Sequence, residues 1–197
     1  MNPLKSPWAT TVVGIVLALI IVAVIDSPVP PSTTEWTIWF HVVVGVMWIG
    51  LLYYFNFVQV PAQAEAMADK DGPGPAAIGK YVAPKALLYF RWAALLTWLS
   101  GAAALGKYGI FADAFLLKQN AAVIGIGAWL GTIMLFNVWV LIWPNQKKVL
   151  GMVQASDAEK AKAKTVALYA SRTNTLLSLP MLLCMTASHY HNGGLPF

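Results

Sequence analysis

The sequence predicts an all-α integral membrane bundle that crosses the bilayer about five times. Three observations predict it: a composition too apolar for a soluble domain, five long apolar runs, and a one-sided distribution of Lys and Arg. Hydrophobic residues make up 58% of the 197 positions and charged residues 11%, against about 25% charged in an ordinary soluble chain. In lipid every backbone N–H and C=O must be satisfied within its own segment, so an apolar run of about 18 or more residues reads as a spanning helix. The length suits one compact unit, and a single membrane domain over 1–197 is expected.

The first run, about 8–25, follows Lys5 and resembles a signal core, but it is longer than such cores and no small-x-small cleavage pattern follows it cleanly. It is expected to be retained. Pro28, Pro30 and Pro31 stop it, and Thr33 or Thr34 can cap the second helix, about 36–59. Trp36 and Trp39 then stand at a membrane interface, where indoles are favoured. The second helix should continue past Pro61 as the polar stretch Ala62 to Lys70, until Asp71-Gly72-Pro73-Gly74-Pro75 breaks it. The third helix is expected over about 86–105 and the fourth over about 120–143, with a loop beginning at Pro144. Gly127-Ala-Trp-Leu-Gly131 is a small-xxx-small pattern that lets helices approach closely, first of all within this bundle. The fifth helix, about 157–188, opens on a capping box, Ser156-Asp-Ala-Glu159, and contains Pro180, where a kink is expected. It exceeds the about 20 residues that spanning requires, so its first turns should project from the membrane.

Alternating helix directions divide the loops into two sets. Of the 13 Lys and Arg, all but Lys107 and Lys118 fall on the side of the N-terminus, the 60–85 loop and the 144–165 loop. Positively charged loops stay in the cytoplasm, which puts the N-terminus inside and the C-terminus outside, in the periplasm for a bacterial inner membrane. The net charge of +5 is thereby explained by topology, and nothing suggests a nucleic-acid surface. One cysteine, Cys184, excludes an intrachain disulfide, and no Cys-x-x-Cys-His is present to attach a c-type haem.

Polar residues inside the spans form two layers. The outer layer holds all three histidines, His41, His189 and His191. His41 lies roughly 8 Å below Trp36 along the helix axis. An ionisable residue at membrane depth is a functional hypothesis by default, and neutral imidazole ligates haem iron and divalent metals. His41 and His189 are therefore candidate haem ligands, and His189 with His191 candidate ligands of a surface metal. The bland alternative is a histidine bonded to a neighbouring helix carbonyl. Met181, Cys184, Met185 and His189 share a helix face and suggest a soft-metal site, although Met and Cys more often fill apolar gaps. The inner layer contains Tyr53, Tyr54, Asn56, Gln59, Arg91, Asn137, Arg172, Thr173 and Asn174. Asn56, Arg91, Asn137, Arg172 and Asn174 are candidate contacts for an anion, a quinone headgroup or haem propionates. The arginines alternatively snorkel to headgroups.

Three segments also carry a resemblance: His41-Val-Val-Val-Gly-Val-Met-Trp-Ile-Gly-Leu-Leu-Tyr-Tyr-Phe-Asn56-Phe-Val-Gln59, Asn137-Val-Trp-Val-Leu-Ile-Trp143-Pro144-Asn-Gln146, and Ser171-Arg-Thr-Asn174-Thr-Leu-Leu-Ser178-Leu-Pro180-Met-Leu. From about Trp36 onward they resemble the urate oxidase N-terminal domain, the membrane module of bacterial membrane-bound urate hydroxylase. More distantly, His41 to Gly50 and Arg91-Trp92 to Gly101 resemble the small haem-binding membrane family of bacterial protoporphyrinogen oxidase. The first resemblance implies a redox-linked membrane protein, and the second implies haem b at His41. The urate hydroxylase family appends a soluble cytochrome c, which the sequence ending at Phe197 is expected to lack, so electrons would leave through a separate cytochrome c or a larger membrane electron-transfer complex. Urate oxidation itself does not carry over on these grounds. The other readings are a non-catalytic accessory subunit of such a complex and a membrane enzyme oxidising urate or another purine.

Overall fold

A computed structural model describes residues 2–25 and 30–187 of the chain, and His189 and His191 lie outside the described residues. Every regular element is helical, with no strand among the described residues. The chain divides into two compact units, Met1–Ser32 and Thr33–Phe197.

The first unit consists of a short 3-10 turn, Pro3–Lys5, and helix α1, Pro7–Val24. Pro7 suits the first helical position, because its missing N–H would have no partner there. No residue of α1 is buried, and its sequence is apolar on all sides, as expected of a helix whose solvent is lipid.

The second unit contains α2 (Thr33–Tyr53), α3 (Val60–Ala68), α4 (Ala83–Lys107), α5 (Phe111–Phe115), α6 (Ala122–Phe136), α7 (Trp143–Val149) and α8 (Asp157–Ala187). The second, third, fourth and fifth expected spans correspond to α2 with α3, α4, α6 with α7, and α8. Three helical stretches are long and apolar enough to cross a membrane: Pro7–Val24, Thr33–Ala68 and Gln119–Val149. Helix α2 packs chiefly on α4, and α6 chiefly on α8. Their shared core includes Leu52, Phe90, Ala94, Met134 and Val138, each nearly or wholly excluded from solvent. The buried face of α8 is built from Ala163, Ala167, Ala170, Asn174, Ser178, Met181, Cys184 and Ala187. Small residues there let backbones approach closely.

Helices do not end at the prolines of the inner layer. Three π-helical segments, Tyr54–Gln59, Ile78–Val82 and Asn137–Ile142, join the α-helices around them. Each is followed two residues later by a proline, Pro61, Pro84 or Pro144. A proline in a helix lacks an N–H and its ring presses on the carbonyl four residues back. Widening the preceding turn relieves that pressure. The residue before each proline accordingly bonds five residues back: Val60 to Phe55, Ala83 to Ile78, and Trp143 to Val138. Consequently the helix runs through Pro144 to Val149 rather than yielding to a loop.

Candidate functional site

His41 lies on the α2 face that meets α4. Its Nδ1 is 2.8 Å from the Thr97 carbonyl oxygen and 3.3 Å from Ser100 Oγ. A carbonyl can only accept, so the shorter contact requires the proton on Nδ1, leaving the Nε2 lone pair available. Thr97, Ser100 and Gly101 share one face of α4, at the i, i+3, i+4 spacing of neighbouring helical residues. The Thr97 hydroxyl donates to the Ala93 carbonyl at 2.7 Å, and Ser100 Oγ donates to Leu96 O at 2.7 Å. Gly101 provides the space: a Cβ there would stand 2.9 Å from His41 Cε1 and 3.2 Å from Nδ1. The imidazole thus rests directly on α4 backbone. The bland expectation, a histidine bonded to a neighbouring carbonyl, describes Nδ1; the ligand expectation concerns Nε2, and the two are compatible. Ligating histidines usually donate their other N–H to a carbonyl or carboxylate, which fixes the ring and its tautomer.

No group of three or more His, Cys, Asp and Glu residues able to hold a metal ion occurs among the described residues. On the Met181 face, Cys184 is buried against Gly127, where an added Cβ would lie 3.1 Å from the Cys184 Cβ and 3.2 Å from Met185 Cε. This is close packing between α6 and α8.

The inner polar residues sort into bonded pairs. Asn137 and Asn174 are buried, and Asn137 Nδ2 donates to Asn174 Oδ1 at 2.8 Å. Asn174 Nδ2 donates to the Met134 carbonyl at 2.9 Å. Asn56 Nδ2 donates to Leu52 O at 2.9 Å and Ser171 Oγ at 2.8 Å, and Tyr53 Oη meets Ser178 Oγ at 2.9 Å. Thus Ser171, Asn174 and Ser178 give α8 a polar stripe that fastens it to the α2 and α6 spans. Asn56 and Asn137 themselves belong to π segments. Trp48 Nε1, Asn56 Oδ1 and Gln59 Oε1 are buried without a hydrogen-bond partner. Arg172 is exposed on α8, away from the Asn137–Asn174 pair. Arg91 lies over the Trp143 ring, its Cζ 3.8 Å from the ring centroid. Asn56, Asn137 and Asn174 thus meet along one turn of α8, whereas Arg91 stacks on Trp143 and Arg172 is exposed.

Sequence reasoning found His41 but not its seat, since Thr97 is 56 positions away. The available signal was the hydroxyl, hydroxyl, glycine pattern of Thr97, Ser100 and Gly101 on one face of an otherwise mostly apolar stretch. It also missed Trp143 as the partner of Arg91 and Ser171 as the partner of Asn56.

No curated protein and no solved structure matches the chain. Residues 108–193 match the family model described as urate oxidase N-terminal. The matched stretch contains Asn137, Arg172, Asn174, His189 and His191, whereas His41, Asn56 and Arg91 precede it. Over residues 108–193, less than half of its length, the chain is similar to the urate oxidase N-terminal family.

Proposed function

We propose that the protein is a redox-linked membrane subunit that holds haem b at His41 near the outer face and exchanges electrons with a separate partner, a cytochrome c or a larger membrane complex. The observation that carries the reading is the His41 seat, which combines an Nδ1–H on the Thr97 carbonyl, a free Nε2 and a glycine under the ring. This donor chemistry fits haem iron, which takes a neutral imidazole nitrogen. Haem bound there would supply one-electron transfer. The chain's part is to orient His41 through α4 and keep its ligand nitrogen deprotonated. His189 is the proposed second ligand.

In this reading the five apolar runs cross a bacterial inner membrane, with the N-terminus cytoplasmic and the C-terminus periplasmic. Besides the three sufficiently apolar stretches, α4 has 25 residues and α8 has 31. At 1.5 Å per residue these are about 37 and 46 Å long, enough for a core of about 30 Å. The Lys-rich ends of the inner layer support the orientation.

An accessory, non-catalytic role and purine oxidation are the competing readings. The purine reading draws less support, because Asn137 and Asn174 already bond to each other. A reduced-minus-oxidised spectrum of the full chain, purified with haem available, tests the proposal. A b-type signal that disappears in His41→Ala is expected. A folded preparation with no such signal would refute haem binding.

A further inference from the structure

A second constellation lies at the Lys-rich end of the bundle and is independent of the cofactor reading. Arg91 is on α4, while Trp143 and Lys147 are on α7, one helical turn apart. The Arg91 Cζ is 3.8 Å from the Trp143 ring centroid, and Lys147 Nζ is 5.8 Å from the same centroid. Both fall within the about 6 Å range of cation–π attraction. The Arg91 backbone is also fixed, because Trp139 Nε1 donates to its carbonyl at 3.2 Å and the Trp139 ring meets Trp92 edge-on at 5.5 Å. All three side chains are half-buried.

What this arrangement lacks is negative charge. The side-chain ion pairs found among the described residues are Lys118–Asp113 and Lys160–Asp157, both elsewhere. No hydrogen bond engages the Arg91 guanidinium among the described residues. Stacking covers a guanidinium's face and leaves its in-plane N–H fork free, the edge that binds oxyanions in two places. Two cations gathered around one indole repel each other, and an anion between them would relieve that repulsion.

We infer that Arg91 and Lys147, organised by Trp143, form a binding site for a phosphate group. A tetrahedral oxyanion can give two oxygens to the arginine fork and a third to the ammonium. An indole with neighbouring Lys is also the signature of headgroup depth, and Lys80, Lys85 and Lys148 add positive field at the same end. The phosphate comes from an anionic lipid headgroup or from a free phosphate in solution.

The test uses the full chain labelled with 5-fluorotryptophan in nanodiscs, with the Trp143 fluorine signal assigned through Trp143→Phe. One arm compares phosphatidylcholine discs with discs that also contain phosphatidylglycerol. The other arm titrates inorganic phosphate into the phosphatidylcholine discs. A Trp143 shift in the first arm identifies lipid, and a saturable shift in the second identifies the free ion. Arg91→Gln should weaken the response at least tenfold, and Lys147→Gln should weaken it less. If Arg91→Gln does not fold, Lys147→Gln alone decides, because the Lys147 ammonium makes no hydrogen bond or ion pair among the described residues. A Trp143 signal that responds in neither arm, or a response that Lys147→Gln and any folded Arg91→Gln leave unchanged, overturns the proposal.

Discussion

Replacing Gly101 with Ala separates ligand chemistry from fold stability at His41. The new Cβ would stand 2.9 Å from Cε1 and 3.2 Å from Nδ1 of the imidazole. Carbon atoms pack best at about 3.5–4.0 Å, so the ring must retreat by roughly 0.6–1.1 Å. The Nδ1–H contact to Thr97 O is 2.8 Å; after that retreat it would be about 3.4–3.9 Å, at or beyond the limit of a hydrogen bond. Losing such a bond costs about 0.5–1.5 kcal/mol net. Alanine in place of a mid-helix glycine returns about 0.5–1 kcal/mol. The two nearly cancel, so the melting temperature of Gly101→Ala should barely move. Ligand binding has no such offset. Loss of the outer partner of a ligating histidine typically weakens affinity about 10–100-fold. Haem titration of the folded full chain should show that loss, and nitrogen-15 spectra of His41 should show loss of the fixed Nδ1–H tautomer. Gly50→Ala is the control, since nothing lies within 4 Å of a Cβ at Gly50. An unchanged tautomer and affinity in Gly101→Ala would refute the reasoning, and an unchanged tautomer alone would refute the seat even in protein without haem.

Three further outcomes follow from the packing and the caps. In a double-mutant cycle, Asn137→Ala and Asn174→Ala should show a coupling energy of about 0.6–1.7 kcal/mol, the range measured between membrane helices, read from unfolding in detergent. Gly125→Ala should destabilise by about 1–3 kcal/mol through overpacking, because its Cβ would collide with the Ala114 carbonyl, whereas Gly131→Ala meets nothing within 4 Å and should be tolerated in the same assay. Glu159 accepts from the Ser156 backbone N–H and hydroxyl, which hold its carboxyl below the usual glutamate range. A depressed folded-state pKa gives stability that is present above the unfolded pKa and lost as pH falls through the folded one. Protection against amide exchange in the first turn of α8, taken relative to the intrinsic rate at each pH, should therefore fall on acidification below the ordinary glutamate range, and Glu159→Gln should remove that dependence.

Patterns confined to one segment were legible in the sequence, and meetings between segments were not. The capping box is local, and it forms as spelled, with Ser156 N–H on Glu159 Oε2 at 2.8 Å. The edge-to-face pair Trp36–Trp39 is likewise local. Small-xxx-small spacing identified Gly127, which seats Cys184, but also Gly131, which faces open space. The tightest glycine, Gly125, was outside the motif, because its neighbour Ala114 comes from the short helix α5. Spacing says which residues share a face and not what that face meets. The partners of the inner candidates were hidden for the same reason: Asn137 and Asn174 come from different helices and bond to each other, and Asn174 also bonds the Met134 carbonyl.

The prolines show how a local rule can be right in mechanism and wrong in consequence. Pro144 was expected to begin a loop, as a missing N–H and a clashing ring would require in water. If the turn lies at membrane depth, as proposed, an open loop would strand backbone groups that no solvent can satisfy, at several kcal/mol each. Widening into a π turn costs less, since most backbone bonds survive as bonds five residues back. The same solution recurs at Pro61, Pro84 and Pro144, all at the Lys-rich end. It has a chemical consequence, because a wide turn before a proline leaves a main-chain carbonyl short of a donor. Two of these turns contain the interhelical amides Asn56 and Asn137. The side chains of that end thus fasten helices whose own backbones are weakened there. The His41 seat is built differently, on regular α4 backbone more than three turns beyond Pro84, and that regularity lets one carbonyl hold one imidazole in a single tautomer.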